Sequence, residues 1–376
     1  MGRKRATPKP LKHWRLLRAF VRELAAVQAA GVSAGDTWAD PRRKLQLGEY
    51  LGLLLLGLFN PVVDSLRGLQ AATRLKRVQQ AVSGRPVSLG SLSEAQAVVE
   101  PALLEALCQR LYEQTPRMAG APRAVVIDST VWSVLPRMHW AFWRRQHGLG
   151  QAVRLHVEFD LERGGVRRAQ STPAKTCERA QWRQWGRPGS CYIGDRYYGY
   201  DYRLLGEWLD KQVDFLVRLR RETQWVVESE AELSAADRAA QVTWAGVVRL
   251  GRDGLGPRVR VVQVLAEEEQ ILLATSLPAE GTPPELLAQL YRQRWQVELF
   301  FRWLKCILGC RHWLAESPRG VALQCYLALI AAQLLVLFTG RRPTKRQMEL
   351  LQFYLLGWCS LAELTAQLTP RPVRLR

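Results

Sequence analysis

The order in which strand-like and helix-like patterns follow one another in the middle of this chain constrains its fold most. Short apolar or alternating runs predict three strands, at 124–128, 153–161 and 165–172, and Gly164-Gly165 forms the turn between the last two. The pattern then predicts a helix at 177–185, a strand at 191–194, a helix at 201–211 and a strand at 215–219. This succession is typical of an α/β domain with a mixed central sheet.

The segments on either side of this core differ from it in pattern, and we predict five regions. Residues 1–118 are predicted to be helical and to bind DNA, because Arg74, Lys76 and Arg77 form a basic step on one helix. A plain helical bundle would show the same periodicity. Residues 119–221 are the first part of the core, 222–280 a β-rich insertion, 281–340 the second part of the core, and 341–376 a C-terminal helix and basic tail.

The charge of the chain indicates a polyanionic partner. Lys and Arg total 54 against 34 Asp and Glu, which gives a net charge of +20. A field of this sign concentrates nucleic acid, and we expect double-stranded DNA. A genome rich in Arg codons would also raise the charge.

The seven cysteines are odd in number and scattered, which predicts no disulfide framework and a reducing, cytoplasmic location. Cys306, Cys310 and His312 resemble metal ligands in spacing, but no second ligand pair lies near them, so we expect buried thiols. The apolar run 51–59 is too short to span a bilayer. The longer run 321–338 is interrupted by Gln324 and Gln333, so we predict a buried helix and no membrane partner.

A helix that begins near Thr282 carries the most informative side chains. Neither Gly nor Pro interrupts the chain between Pro284 and Gly309, which predicts one helix of roughly 26 residues. At about 100° per residue, one narrow stripe of that helix holds five polar side chains: Tyr291, Arg294, Glu298, Arg302 and Lys305. Such a stripe can face phosphates, but it can equally be a solvated face with ion pairs four residues apart.

Two aspartates elsewhere in the chain are candidates for the same site as this stripe. Asp128 and Asp195 each follow a short apolar strand, and we expect both at strand ends. Each alone is an ordinary turn former or helix cap. Together with Glu298 they could share a site, because clustered carboxylates need protons or cations, and Mg²⁺ prefers such oxygen ligands.

These residues carry a family resemblance. The spacing Tyr291-x2-Arg294-x3-Glu298-x6-Lys305 resembles the Tyr-Arg-Glu-Lys signature of bacterial insertion-sequence DDE transposases. The segments at 125–130 (VVIDST) and 193–199 (IGDRYYG) resemble the two aspartate motifs of that family. The resemblance spans about residues 120–340 and implies an RNase H-like catalytic domain with a β-rich insertion before the Glu helix.

The resemblance also implies roles. Asp128, Asp195 and Glu298 would bind two Mg²⁺ ions, with Mn²⁺ as a substitute, for phosphoryl transfer. Tyr291, Arg294 and Lys305 would hold phosphates at the transposon end, and we assign Arg302 to the same DNA surface. We expect a dimer in the synaptic complex and no nucleotide cofactor.

Aromatic residues suggest two more DNA contacts. The segment 132–148 is predicted to be a loop in which Trp143 and Arg145 stack on distorted DNA, or alternatively a lid over the core. In the insertion, Trp225 and Trp244 could receive a flipped base, although core packing is the commoner role of Trp.

The sequence therefore predicts a cut-and-paste DNA transposase that acts on its own terminal inverted repeats. Two alternatives remain open. One is a catalytically silent DNA-binding regulator derived from such an enzyme. The other is an RNase H-like structure-selective nuclease.

Overall fold

A computed structural model describes residues 15–40, 42–145, 148–266, 269–307, 313–339 and 344–368. Residues 1–14, the basic tail 371–376, Cys310 and His312 lie outside these ranges, as does the side chain of Cys306. The metal-ligand alternative for the last three therefore stays untested. The described cysteine side chains are free thiols, as the sequence predicts: Cys108, Cys177, Cys191, Cys325 and Cys359.

The N-terminal part is helical. Its helices are α1 (Arg15–Ala29), α2 (Leu47–Phe59), α3 (Leu66–Ala72), α4 (Lys76–Val78), α5 (Leu89–Val98) and α6 (Pro101–Gln114). The apolar helix α2 is buried along nearly its whole length. Burial of this kind removes apolar surface from water and stabilises the fold.

The described strands form one ten-stranded mixed sheet. They are β1 (Ala124–Ser133), β2 (Phe142–Arg145), β3 (Gly148–Asp160), β4 (Gly165–Pro173), β5 (Cys191–Gly194), β6 (Asp214–Arg218), β7 (Trp225–Glu230), β8 (Val242–Leu250), β9 (Arg258–Ala266) and β10 (Glu269–Thr275). The order is β2-β3-β1-β5-β6-β10-β9-β8-β7, and β4 pairs with β3 as well. β1 is antiparallel to β3 and parallel to β5, which is in turn parallel to β6. The predicted α/β class with a mixed sheet is confirmed.

The strands that lie between 222 and 280 extend this same sheet. β10 pairs with β6 in antiparallel register, from Leu273 opposite Arg218 to Thr275 opposite Leu216, and β9, β8 and β7 follow outward. The short helix α10 (Ala235–Ala239) connects β7 to β8. The insertion is thus continuous with the core in hydrogen bonding. The division of the chain into five regions stays a prediction.

Helices cover both faces of the sheet. Val126 and Ile193 face the cluster that contains the N-terminal helices and the helices after β10, whereas Val125 and Tyr192 face a second cluster. Packed on that second face are α7 (Glu178–Trp185), α8 (Arg196–Gly199) and α9 (Tyr202–Asp210). Because side chains alternate along a strand, residues two positions apart share a face.

The C-terminal part consists of α11 (Pro284–Arg292), α12 (Trp295–Ile307), α13 (Pro318–Thr339), α14 (Lys345–Leu356) and α15 (Leu361–Leu368). One helical stretch in the described ranges, Pro318–Leu337, is long and apolar enough to cross a membrane, and most of it is buried inside the protein. The two glutamines that interrupt it have partners there. Gln324 accepts a hydrogen bond from the Leu314 amide, and Gln333 donates to the Val166 carbonyl. This is the buried helix that the sequence predicts.

Three predictions about individual elements are wrong. The single long helix is two helices, α11 and α12, because each packs on different neighbours: α11 on α10, β6, β8 and β9, and α12 on β1 and α13. Tight turns join them, in which Arg294 N donates to Tyr291 O and Val297 N to Arg294 O. β1 continues past Asp128 to Ser133, paired with β3 throughout. The predicted loop 132–148 contains β2, which also pairs with β3.

Candidate active site

Asp128 and Asp195 lie level on neighbouring strands. β1 and β5 run parallel with Val126 opposite Ile193, and each aspartate comes two residues later. Asp128 is in the middle of β1, whereas Asp195 directly follows β5 and caps α8, where its Oδ1 accepts a hydrogen bond of 2.8 Å from the Tyr197 amide. Since Val126 and Ile193 face the α12 side of the sheet, the register directs both aspartates to that side.

Glu298 lies on α12, which packs on the same side of the sheet. Val297, Phe300 and Leu304 of α12 are buried, and the rings of Phe300 and Phe159 are 5.4 Å apart. One arginine links this helix to β1. Arg294 Nη2 donates to Glu298 Oε1 at 2.7 Å, and its Nη1 lies 3.7 Å from Asp128 Oδ2. Arg294 therefore brings Asp128 and Glu298 together, and the register of β1 and β5 directs Asp195 to the same side of the sheet.

The electrostatics of Asp128 reflect this arrangement. Burial is the largest cause that raises its pKa, to about 7, and the nearby carboxylates of Asp195 and Glu298 add to the rise. The Ser129 amide and Arg294 act in the opposite direction. Like charges disfavour ionisation of one another. Proximity of the three acids is thus visible in the pKa of one of them.

The other residues of the predicted stripe differ in exposure. Tyr291 lies against Arg294, with 5.9 Å from the ring centroid to Cζ, and burial raises its pKa to about 12. Lys305 Nζ donates to the Val131 carbonyl at 2.8 Å and lies 5.4 Å from the Trp132 ring. Arg302 is exposed. The contacts of Arg294 and Lys305 therefore tie α12 to β1, and Arg302 is directed to solvent.

The comparisons with known proteins decide the family. The Transposase DDE domain family matches residues 119–334, more than half of the chain. The chain belongs to the DDE transposase family. This range contains all three acids, and the function of the family is DNA transposition.

Two bacterial proteins that are named as transposases, and one solved transposase structure, are similar to this chain. A Sinorhizobium fredii protein named as transposase y4zB is 28% identical over 260 residues, which cover 66% of this chain and 68% of that protein. A Geobacillus stearothermophilus protein named as the transposase of insertion sequence element IS5377 is 28% identical over 244 residues, 62% of this chain and 61% of that protein. The second match spans less than two thirds of the relative's length. Among solved structures, a piggyBac transposase synaptic complex with hairpin DNA is similar at a TM-score of 0.43 and 10% identity, over 98% of this chain and 84% of that one.

The aromatic residues predicted to contact DNA lie apart from the three acids. Trp143 is half-buried on β2, opposite Gly150 of β3, and the side chain of Arg145 lies outside the described residues. Trp225 and Trp244 stack on each other with ring centroids 6.2 Å apart and pack against the second core cluster. Their strands, β7 and β8, are at the far edge of the sheet from β1. Core packing accounts for this tryptophan pair.

Sequence reasoning missed the residues that surround the two aspartates on the opposite side. Ser129 donates its backbone N–H to Asp128 Oδ1 at 2.7 Å. Behind it are Arg154, Glu178 and Tyr198, which share hydrogen bonds and an ion pair. Glu178 is in the first turn of α7, where acids are common in any helix because they favour the positive end of its dipole. Its position in the sequence therefore gave no signal.

The three acids supply carboxylate oxygens, the type of donor that a hard divalent cation takes. Among the described residues, no three His, Cys, Asp or Glu side chains converge closely enough to form a metal-binding group. Arg294 is the cation that contacts both Asp128 and Glu298. Carboxylate oxygens are the ligands that Mg²⁺ prefers, and a buried carboxylate with a raised pKa favours an added positive charge.

Proposed function

We propose that Asp128, Asp195 and Glu298 are the catalytic residues with which this transposase cuts DNA at the terminal inverted repeats of its insertion sequence and joins the cut ends to a target. The observation that carries the proposal is the level position of Asp128 in β1 and Asp195 directly after β5, with Glu298 on the helix that packs on the same side of the sheet. The strand register and the contacts of Arg294 direct acids from three separate segments of the chain to one side of the sheet. Neither strand pairing nor helix packing requires such a concentration of negative charge.

The three carboxylates would hold Mg²⁺, or Mn²⁺ in its place. When bound, the metal supplies activation of a hydroxyl nucleophile and stabilisation of the departing oxygen at phosphorus. Arg294 keeps Glu298 directed towards Asp128, and movement of its guanidinium towards a DNA phosphate would free both carboxylates for the cation. Lys305 holds α12 against β1 through the Val131 carbonyl.

The rest of the chain would supply DNA contacts. The residues that would bind the DNA backbone at the transposon end are Tyr291, Arg294, Lys305 and Arg302. Trp143 and Arg145 would contact part of the flanking DNA. The helical region before residue 119 would read the end sequence, since the net charge of +20 favours such binding. We propose a dimer in the synaptic complex, acting in the cytoplasm on the nucleoid.

The test is a cleavage and joining assay on the element's own ends. The purified chain is mixed with duplexes that contain an inverted repeat and flanking DNA, with Mg²⁺ or with chelator. Asp128→Asn, Asp195→Asn and Glu298→Gln should each reduce cleavage by more than about 1000-fold, which corresponds to roughly 4 kcal/mol of activation free energy. Binding to the ends should stay within about threefold, because these acids do not attract phosphates.

A matched control removes a carboxylate remote from the site. Glu228 on β7 pairs with Arg249 and Arg258 at the surface, and Glu228→Gln should cleave as the unaltered protein does. Binding of the ends without cleavage in either metal would favour a silent regulator. Cleavage without joining, at sites unrelated to the repeats, would favour a nuclease.

A further inference from the structure

Glu178 connects the two segments that carry the aspartates. Its side chain, 14% exposed, lies on the side of β1 opposite Asp128. Its two oxygens have different partners: Oε1 accepts a hydrogen bond from Ser129 Oγ at 2.8 Å, and Oε2 accepts one from the Tyr198 hydroxyl at 2.9 Å. A single carboxylate thus joins β1 to α8.

Each partner adjoins one aspartate. Ser129 follows Asp128, and its backbone N–H donates to Asp128 Oδ1. Tyr198 lies in α8, the helix that Asp195 caps, and its amide donates to the Asp195 carbonyl at 3.2 Å. The path Asp128–Ser129–Glu178–Tyr198–Asp195 therefore runs through hydrogen bonds and a few covalent bonds only.

A neighbouring arginine compensates the negative charge of Glu178. Arg154 on β3 forms an ion pair with Glu178 Oε1 and donates to Ser129 Oγ at 3.0 Å. The Trp182 ring N–H donates to the Tyr198 hydroxyl at 2.7 Å. Tyr198 itself is buried, and its ring lies directly against Gly194 at the end of β5. Such a paired and buried network fixes its members in one geometry.

We propose that Glu178 is a positioning residue that sets the separation of Asp128 and Asp195, and thereby the affinity of the aspartate pair for a divalent cation. This inference rests on the proposed function. Two neighbouring carboxylates repel each other, so their separation depends on the groups that hold the two segments together. Because Mg²⁺ demands a near-ideal arrangement of ligands at about 2.1 Å, a small separation of the two segments weakens its binding.

The chain offers a matched control. Glu158 on β3 is also buried, also pairs with an arginine, Arg167, at 2.9 Å, and also accepts a hydrogen bond from a tyrosine hydroxyl, that of Tyr192, at 3.4 Å. It faces the same side of the sheet as Arg154, since the two are four residues apart on one strand. Neither Arg167 nor Tyr192 adjoins an aspartate of the site.

The experiment measures metal binding directly. Mn²⁺ is titrated into the full-length protein without DNA, and free Mn²⁺ is followed by electron paramagnetic resonance. Glu178→Gln and Ser129→Ala should weaken Mn²⁺ binding by about tenfold, the usual scale for residues that orient metal ligands. The Mg²⁺ concentration for half-maximal cleavage should rise by a similar factor, with the rate at saturating Mg²⁺ preserved. Ser129→Thr keeps the hydroxyl that Ser129→Ala removes, so it should bind Mn²⁺ as the unaltered protein does.

Stability is measured in parallel, so that loss of fold is not mistaken for loss of position. Glu158→Gln should lower the unfolding temperature as much as Glu178→Gln does, and leave Mn²⁺ binding unchanged. Tyr198→Phe removes one hydroxyl only and should give a smaller shift in Mn²⁺ affinity in a protein that still folds.

Two results would overturn the inference: Mn²⁺ binding in Glu178→Gln and Tyr198→Phe equal to that of the unaltered protein, or an equal loss in Glu158→Gln. Failure of the proposed function is distinguishable, because Asp128→Asn would then still bind Mn²⁺ and cleave. If only the positioning role is wrong, Asp128→Asn is inactive and Glu178→Gln behaves normally.

Discussion

Two carboxylates on the paired strands β1 and β3 have opposite surroundings. Asp160, opposite Val125, accepts hydrogen bonds from the Tyr112 hydroxyl at 2.5 Å and from the amides of Glu162 and Arg163 at 2.7 and 3.1 Å. Asp128 accepts one amide hydrogen bond, and the guanidinium near it is also paired with Glu298. The first carboxylate is satisfied by neutral donors, and the second shares one cation with another acid.

This difference separates a structural acid from a functional one. Hydrogen bonds from neutral donors to a buried carboxylate stabilise the fold. A buried carboxylate beside two others disfavours its own charge, which is consistent with a pKa near 7 for Asp128. Groups of the second kind lower stability and concentrate at functional sites.

The largest expected effect tests the functional member of the pair. Asp128→Asn should abolish cleavage and, in chelator, raise the free energy of unfolding by about 2 kcal/mol, because it removes a charge that burial and two acids disfavour. The measurement is urea unfolding beside the cleavage assay. A variant that is both inactive and less stable would show that Asp128 supports the fold instead.

Asp160→Ala should lower stability and leave cleavage intact, the reverse of what we expect for Asp128→Asn. It leaves a buried tyrosine hydroxyl and two amides without their acceptor, at a cost of about 3 kcal/mol. Cleavage per folded molecule should stay unchanged. Urea unfolding gives the loss, and active-site titration with end DNA normalises the rate. A loss of cleavage larger than the loss of folded protein would contradict the structural role of Asp160.

A smaller effect concerns His156 on β3 and the dependence of stability on pH. His156 on β3 is buried and bonded to the Thr172 hydroxyl, and burial, with some help from Arg154, lowers its pKa to about 4. The folded protein therefore keeps it neutral, while the unfolded chain binds a proton below its ordinary pKa of about 6.5. Neutral His156 therefore contributes fully to the free energy of unfolding above pH 6.5, and this contribution is lost as the pH falls towards 4.

We expect the contribution of His156 to the free energy of unfolding to fall by about 2 kcal/mol between pH 6.5 and pH 5. Urea unfolding across this range gives the slope of stability against pH. His156→Gln cannot titrate, so its slope should be shallower by that amount. Parallel slopes in the two proteins would mean that other groups cause the acid sensitivity.

The sequence predicted the parts of this arrangement that depend on local pattern. Alternating and apolar runs located most strands, and the family motifs located the three acids. The break between α11 and α12 was missed because neither Gly nor Pro marks it, and packing of each half on different strands causes it. The extension of β1 beyond Asp128 was missed because the apolar run ends there, whereas pairing with β3 keeps Ser129 and Thr130 extended. Glu178 was missed because only tertiary contact reveals its partners.

The smallest effect concerns the cations on α12 and directly before it, which differ in whether a partner within the protein binds them. Arg294 and Lys305 have partners within the protein, on Glu298, Asp128 and Val131, whereas Arg302 is exposed one turn after Glu298. Arg302 therefore has the freedom to contact a phosphate of DNA bound over the acids.

Replacement of Arg302 by Ala should weaken binding to end DNA by about fivefold and reduce the slope of log affinity against log salt by about one, the loss of one phosphate contact. Fluorescence anisotropy between low and moderate salt measures both quantities. The control is Arg203→Ala, since Arg203 is also exposed but pairs with Glu207 on the opposite face of the sheet. An equal decrease in both variants would mean that total charge, rather than the position of Arg302 beside Glu298, governs binding. A decrease confined to Arg302 would place the DNA backbone along α12.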